Sequence, residues 1–107
     1  MTLPREIYAI QHNVTKRIYV GSTKYPKRRF ANHLSMLRNG KHPVEDMQKD
    51  FDEYGDNFTF LILGTISEFE NRDREYEFMM FLESHVRGKG YNYKDHVNFE
   101  KRKEKQR

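Results

Sequence analysis

Tyrosine, arginine and histidine side chains that could do chemistry together lie close to one another near the start of the chain. Tyr8 and Tyr19 lie in two short apolar runs, and Arg29 and His33 follow four residues apart. Residues at that spacing are neighbours on one face of a helix. Each pair also has a plain structural explanation, because two tyrosines on adjacent strands can pack as a cross-strand pair and charged helix residues often only face solvent.

Positive charge is concentrated around Arg29. Basic residues cluster within six positions, and no acidic residue follows them before Glu45. The cluster consists of Lys24, Lys27, Arg28 and Arg29. An uncompensated cationic patch near the start of a helix suits phosphate oxygens, so the cluster favours a partner that carries phosphate groups.

A glutamate far along the chain is the other candidate. Apolar residues follow Glu75 three, four and seven positions later, at Phe78, Met79 and Leu82. This spacing places the Glu75 carboxylate at the edge of an apolar stripe, where it is costly unless it is paired or bound to a metal. Glu77 is a rival with a shorter stripe. A solvated glutamate is the ordinary alternative, since this segment contains several.

The composition excludes several classes of function. The 107 residues carry a net charge of +4, and the last eight hold five Lys or Arg against two Glu, so the first 99 residues carry a net charge of only +1. The absence of cysteine excludes disulfides and thiolate zinc sites. The histidines lack metal-ligand spacing, and no Ser-His-Asp or P-loop pattern occurs. No apolar run could cross a membrane and the start lacks a signal peptide, so an intracellular protein is expected.

The elements that must position these residues follow the order β-β-α-α-β-α. Strands are predicted at residues 6–10, 17–21 and 57–66, the last apolar enough to be central. Helices are predicted over residues 26–38, over residues 43–55, and from an N-cap at Ser67 to the break at Gly88 and Gly90. The order implies an α/β (α+β) fold in which helices flank a small three-stranded antiparallel sheet.

With these residues in place, the chain resembles the GIY-YIG endonuclease domain, and the phage-type homing-endonuclease branch in particular. The first motif reads "EIY" and the second "YVG". The family's functional residues fall on Tyr8, Tyr19, Gly21, Arg29, His33, Glu75 and Asn92, and His42 after "NGK" also resembles that branch. The resemblance covers residues 6–92 with the elements in the family's order. Glu6 replaces the first glycine of the pattern, and Val20 replaces its isoleucine.

The resemblance implies metal-dependent hydrolysis of DNA phosphodiester bonds. Tyr8 would be the general base toward water, with Tyr19 and His33 orienting it or sharing protons. Arg29 would stabilise the phosphorane-like transition state, and Glu75 would bind one divalent cation, Mg²⁺ or Mn²⁺. A phenol has a reference pKa of about 10, so a neighbouring cation or onward proton transfer must assist it.

Supporting and binding roles complete the expected site. Support is expected from Gly21, Arg28, His42 and Asn92, and contact with DNA from Lys24, Lys27, Arg28 and Arg29. The expected organisation is a nuclease domain over residues 1–96 with a basic tail over residues 97–107. The expected state is a monomer or a transient dimer on DNA. The family's DNA-targeting appendage has no counterpart in this sequence, so weak intrinsic sequence specificity is expected.

Two other functions are compatible with the same residues. A catalytically inactive nucleic-acid-binding module of the same fold would use the cationic helix and the tail, but it would need no glutamate facing phosphate. A protein-interaction domain with a mild basic bias would not bind DNA at low salt. Metal-dependent cleavage separates the nuclease from both.

Overall fold

The computed structural model describes residues 4–66, 73–86 and 88–92 of the chain. Its elements are β1 (Arg5–His12), β2 (Ile18–Thr23), α1 (Pro26–Arg38), α2 (Glu45–Tyr54), β3 (Phe58–Ile66) and α3 (Asp73–Phe81). The predicted order and the predicted α+β class are therefore confirmed. The expected N-cap at Ser67 and the charged tail lie outside the described residues, and the predicted domain boundary stays a prediction.

The strand β1, and not β3, is the centre of the sheet. In the part of the chain that the structure describes, both strand pairings of the sheet are antiparallel and the strand order is β2-β1-β3, so the prediction that the third strand is central is wrong. Residues 7–10 of β1 are at most 2% exposed, whereas Leu61 and Ile62 of β3 are 43% and 49% exposed. An apolar run predicts a strand, but its place in the sheet depends on pairing with distant residues.

Helices cover both faces of the sheet, each over its own apolar cluster. The cluster on the α3 face consists of Ile7, Val20, Ile66 and Met79. The cluster beneath α1 and α2 consists of Leu37, Met47 and Tyr91, with Tyr19 and Phe58 packed against it. Side chains alternate between the two faces along a strand, so Tyr8, Tyr19 and the Cβ position of Gly21 are on the face covered by α1.

Local chemistry explains where the helices begin and end. Pro26 opens α1, a position where the missing N–H costs nothing. The helix α2 begins at Glu45, two residues later than predicted, because Val44 is still extended, with φ −90° and ψ 104°. The helix α3 ends at Phe81, well before the predicted break at Gly88, because Glu83 adopts the left-handed conformation with φ 57°. Within the described residues, no helix is long and apolar enough to cross a membrane.

Candidate active site

Tyr8 lies in the centre of β1 with its hydroxyl group against Gly21 of β2. The two residues are direct cross-strand partners, and Tyr8 is only 2% exposed. A Cβ atom on residue 21 would lie 2.6 Å from the Tyr8 hydroxyl oxygen, which is closer than real Cβ contacts. Glycine is therefore required at position 21 by the space that the phenol occupies, and not by a turn.

Tyr8, Tyr19 and His33 form one aromatic group on the α1 face of the sheet. The ring centroids of Tyr8 and Tyr19 are 6.1 Å apart, and the His33 ring lies 5.9 Å from the first and 5.5 Å from the second. Phe30 meets the Tyr8 ring edge to face at 5.4 Å. The two tyrosines are diagonal neighbours on adjacent strands and not direct partners, since Tyr8 is paired with Gly21 and Tyr19 with Ile10. This packing holds both hydroxyl-bearing rings beside the histidine.

The helix α1 supplies a buried histidine and an exposed arginine on the same side. His33 is 5% exposed, whereas Arg29, one turn earlier, is exposed. Burial, His42 and the positive charge of Arg29 lower the pKa of His33 to about 4. His33 is therefore a neutral imidazole at neutral pH, able to donate one hydrogen bond and accept one.

A hydrogen-bonded chain joins Tyr8 to the connection between α1 and α2. The Tyr8 hydroxyl lies 3.1 Å from His33 Nε2, and His33 Nδ1 lies 2.8 Å from His42 Nε2. The imidazole rings of the two histidines are stacked, with centroids 5.1 Å apart. His42 is 7% exposed, and burial lowers its pKa. The predicted supporting residue His42 thus contacts the candidate base through His33.

Glu75 and Glu77 differ sharply in environment. Glu75 is half-buried, and its Oε2 accepts a hydrogen bond from the hydroxyl of Ser22 at 2.7 Å, whereas Glu77 is exposed. Ser22 follows Gly21 in β2, and its side chain points to the α3 face. Glu75 therefore reaches the same point of the edge strand β2 as Tyr8, but from the opposite face of the sheet.

Asn92 holds β2 through two hydrogen bonds to the backbone of Val20. Its side-chain amide donates to the Val20 carbonyl at 3.0 Å and accepts from the Val20 N–H at 2.7 Å, and the residue is fully buried. Gly90 allows the chain to pass close to Ser84 just before Asn92, because a Cβ atom on residue 90 would lie 2.2 Å from the Ser84 backbone. The structure therefore places Asn92 as a support of the strand that carries Tyr19 and Gly21.

The cationic cluster lies at the start of α1, beside the aromatic group. Lys27, Arg28 and Arg29 are exposed in the first turn, where no acidic residue accompanies them. Lys24 and Tyr25 line an open concave surface with Lys27 and Arg28, and the Arg28 guanidinium lies over the Tyr25 ring at 5.7 Å. Positive charge at a helix N-terminus opposes the macrodipole, so this arrangement favours an anionic ligand over helix stability.

The donor set fits a sparsely coordinated hard cation. Among the described residues, no group of three or more His, Cys, Asp or Glu side chains could hold a metal ion. A single half-buried carboxylate such as Glu75 suits Mg²⁺, which keeps most of its water and is completed by phosphate oxygens.

The sequence interpretation missed three residues that hold the site. Ser22 contacts Glu75, and its own hydroxyl accepts from Arg5 Nε at 3.3 Å. Gln48 binds the backbone N–H of His42 at 3.0 Å. Ser22 could have been suspected because it follows "YVG", but no local pattern marks Arg5 or Gln48.

Comparison with known proteins gives consistent matches. The sequence model of the GIY-YIG catalytic domain matches residues 6–92. Intron-associated endonuclease 1 of Enterobacteria phage T4 is 30% identical over 89 residues, which are 83% of this chain and 36% of that protein. The chain thus spans about a third of the length of this curated relative.

Solved structures of a similar domain agree with this result. A mutant of the catalytic domain of intron endonuclease I-TevI superposes with a TM-score of 0.73 at 29% identity, covering 84% of this chain and 93% of that one. A second structure, of the catalytic domain of the homing endonuclease I-TevI, gives a TM-score of 0.71 at 28% identity, covering 80% and 96%.

Proposed function

Since the chain belongs to the GIY-YIG family, we propose that it is a metal-dependent endonuclease that hydrolyses phosphodiester bonds of DNA. The observation that carries the proposal is the buried contact of Tyr8 with Gly21 on one side and with His33 on the other. A hydrogen bond with a buried imidazole can orient a phenol and change its basicity, and both are needed in a general base. The similarity to proteins named as endonucleases gives the class of reaction.

Tyr8 is assigned the role of general base toward the attacking water. Its hydroxyl is held by His33 at 3.1 Å, and Tyr19 lies beside both rings. Because His33 is neutral at neutral pH, it can donate to the phenol oxygen or accept its proton. Tyr19 and His33 orient the base or share its proton.

Arg29 is assigned the stabilisation of the transition state. It is exposed, yet near enough to His33 to lower the pKa of that imidazole. Negative charge grows on the phosphoryl oxygens as water attacks, and a fixed guanidinium stabilises that charge. Arg28, next to it, stacks on Tyr25 and adds positive charge to the same surface.

Glu75 is assigned the single divalent cation, Mg²⁺ or Mn²⁺. The hydrogen bond from Ser22 holds one carboxylate oxygen in place, and the Arg5 guanidinium holds Ser22 in turn. A bound cation would polarise the phosphate and assist the leaving oxygen. The scissile phosphate is proposed to lie at the edge of β2, beside Gly21 and Ser22, where residues from the two faces of the sheet come together.

The substrate is proposed to be DNA, bound largely through its backbone. Lys24, Lys27 and Arg28 line one open cationic surface, on which Lys27 and Arg28 are exposed and Lys24 is half-buried. Contacts from such residues to phosphates carry no sequence information, so weak intrinsic specificity is expected of this domain. An inactive binding module would use the same surface, and only cleavage distinguishes the two.

The test compares two alanine variants on the same helix. Glu75→Ala removes the proposed cation ligand, and Glu77→Ala removes an exposed glutamate two residues away. We expect Glu75→Ala to nick supercoiled plasmid at least about 100-fold more slowly with Mg²⁺, and Glu77→Ala to stay within about threefold of wild type. Chelation of the metal should abolish nicking by wild type.

Thermal melting separates a catalytic role of Glu75 from a structural one. Loss of the hydrogen bond from Ser22 to the Glu75 carboxylate is expected to cost about 1.5–3 kcal/mol, so both variants should remain folded at the assay temperature. Equal nicking rates for Glu75→Ala and wild type would contradict the assignment. Failure of wild type to nick any DNA with Mg²⁺ or Mn²⁺ would contradict the proposed function.

A further inference from the structure

The proton positions on His42 are fixed by a backbone group. The N–H of Val44 lies 3.0 Å from Nδ1 of His42. A peptide N–H can only donate, so Nδ1 must be the acceptor and carries no proton. Burial lowers the pKa of His42, so the ring is neutral at neutral pH and its one proton is on Nε2.

The proton position on His33 follows from that on His42. His42 Nε2 lies 2.8 Å from His33 Nδ1, and since Nε2 carries the proton, Nδ1 of His33 is the acceptor. The proton of the neutral His33 ring is then on its own Nε2. This atom lies 3.1 Å from the Tyr8 hydroxyl oxygen, so His33 donates to Tyr8.

The direction of the last hydrogen bond matters for the chemistry of Tyr8. A hydrogen bond donated to the phenol oxygen stabilises the deprotonated form, whereas one accepted from the hydroxyl would stabilise the protonated form. The Tyr8 proton must also point away from His33, toward another acceptor. The opposite direction would place an N–H on both facing nitrogens of His33 and His42.

Gln48 holds the loop that carries this arrangement. Its Oε1 accepts from the backbone N–H of His42 at 3.0 Å, while its Nε2 donates to the Leu37 carbonyl at 3.0 Å and to Asp52 at 2.9 Å. Since the first partner only donates and the others only accept, the side-chain amide has one possible orientation. Gln48 thus ties His42 to the last turn of α1, the helix that carries His33.

We infer that the Val44 amide and the Gln48 side chain are positioning groups, which fix both histidines as Nε2–H tautomers so that His33 always donates to the Tyr8 oxygen. The inference rests on the proposed function, in which Tyr8 is the base. The result is that the Nε2 proton of His33 is directed at the Tyr8 oxygen. Five hydrogen bonds between α2 and β1 hold the two histidines in this arrangement.

The first measurement determines the histidine tautomers of the wild-type protein. Protein labelled with ¹⁵N in its histidines is studied by long-range ¹H–¹⁵N correlation at pH 7, which distinguishes the two neutral tautomers and the charged ring. The signals of the five histidines are assigned by single replacement. We expect both His33 and His42 to be Nε2–H tautomers. An Nδ1–H tautomer at either residue would overturn the inference, whatever the activity.

The second measurement removes the Val44 N–H. Val44→Pro lacks the donor, whereas Val44→Ala keeps it and controls for loss of the side chain. We expect mixed tautomers at both histidines in Val44→Pro only, and a kcat for plasmid nicking at least about 10-fold below that of Val44→Ala with KM within about threefold. Unchanged tautomers and equal kcat values would contradict the inference. If Val44→Pro does not fold, Gln48→Met is expected to give the same mixture.

The outcomes separate this inference from the proposed function. Absence of cleavage by wild type, with both histidines as Nε2–H tautomers, would overturn the nuclease assignment and leave the proton positions established. Metal-dependent cleavage with an Nδ1–H tautomer at His33 would overturn the inference and leave the nuclease assignment in place.

Discussion

The contact between Gly21 and Tyr8 shows how one small residue sets the position of the tyrosine that is proposed as the general base. The Tyr8 ring lies over residue 21, and its hydroxyl oxygen is fixed at the far end by His33. Gly64 in β3 is different, since a Cβ atom there would meet the Phe78 ring at an ordinary 3.9 Å. Two strand glycines therefore give a matched pair, one against the Tyr8 phenol and one facing Phe78 on the other side of the sheet.

Gly21→Ala is expected to displace the Tyr8 hydroxyl and to slow plasmid nicking about 100-fold, because a shift of about 1 Å in a catalytic group costs that much. The overpacking should also lower the free energy of unfolding by about 1–3 kcal/mol. Gly64→Ala should change both quantities little. Nicking kinetics and urea unfolding check the pair, and an active Gly21→Ala enzyme would show that the hydroxyl position is not critical.

The elements are held together by a buried carboxylate outside the candidate site. Asp50 of α2 is 3% exposed and accepts from Arg17 at 3.0 Å, from Thr15 at 3.1 Å and from the Tyr91 hydroxyl at 2.5 Å. Burial and the adjacent carboxylate raise the pKa of Tyr91, so this phenol remains a donor. Asp50 thus joins α2 to the β1–β2 turn and to the segment that contains Tyr91 and Asn92.

Asp50→Ala is expected to lower the free energy of unfolding by about 3 kcal/mol, because it leaves the buried Tyr91 hydroxyl and the Arg17 guanidinium without their acceptor. The control is Asp56→Ala, which breaks an exposed ion pair with Arg38 and should cost less than about 1 kcal/mol. Urea unfolding measures both values. Equal destabilisation by the two variants would contradict the role assigned to Asp50.

At the scale of the whole molecule, charge is distributed so that one surface can meet a polyanion. The helix α1 begins with exposed cations, whereas the first turn of α2 carries Glu45 and Asp46. The match to the GIY-YIG catalytic domain over residues 6–92 confirms the predicted family and the enzyme class it names. The intracellular location and the oligomeric state stay predictions.

In the absence of metal, binding to a short DNA duplex is expected to weaken steeply as the salt concentration rises. Basic side chains that contact phosphates release counterions from the DNA, and added salt opposes this release. If the four basic residues of the cluster contact phosphates, the slope of log K against log[salt] is about −3 to −4. Lys27→Ala should make this slope shallower by about one, whereas Lys49→Ala on α2 should change it less. Fluorescence anisotropy measures the slopes. Salt-independent binding, or no binding at low salt, would favour a protein-interaction domain.

Patterns of neighbouring residues were sufficient for most of the element order. Alternation along a strand placed Tyr8 and Tyr19 on the face opposite Ile7 and Ile18, and Pro26 marked the first residue of α1. Both are local effects, since side-chain direction in a strand and the φ angle of proline do not depend on distant residues. The family motifs likewise singled out the residues now found around Gly21.

Only the tertiary structure decided which strand is central, which glutamate meets β2 and which groups orient the histidines. The apolar run of β3 predicted a central strand, but β1 occupies that place, and the contacts of Ser22 with Glu75 and of Gln48 with His42 have no local signature. The sequence by itself determined the elements and the reactive residue types, because these follow from neighbours along the chain. Their convergence depends on hydrogen bonds and packing between segments that are distant along the chain, and these form only when the sheet and its helices come together.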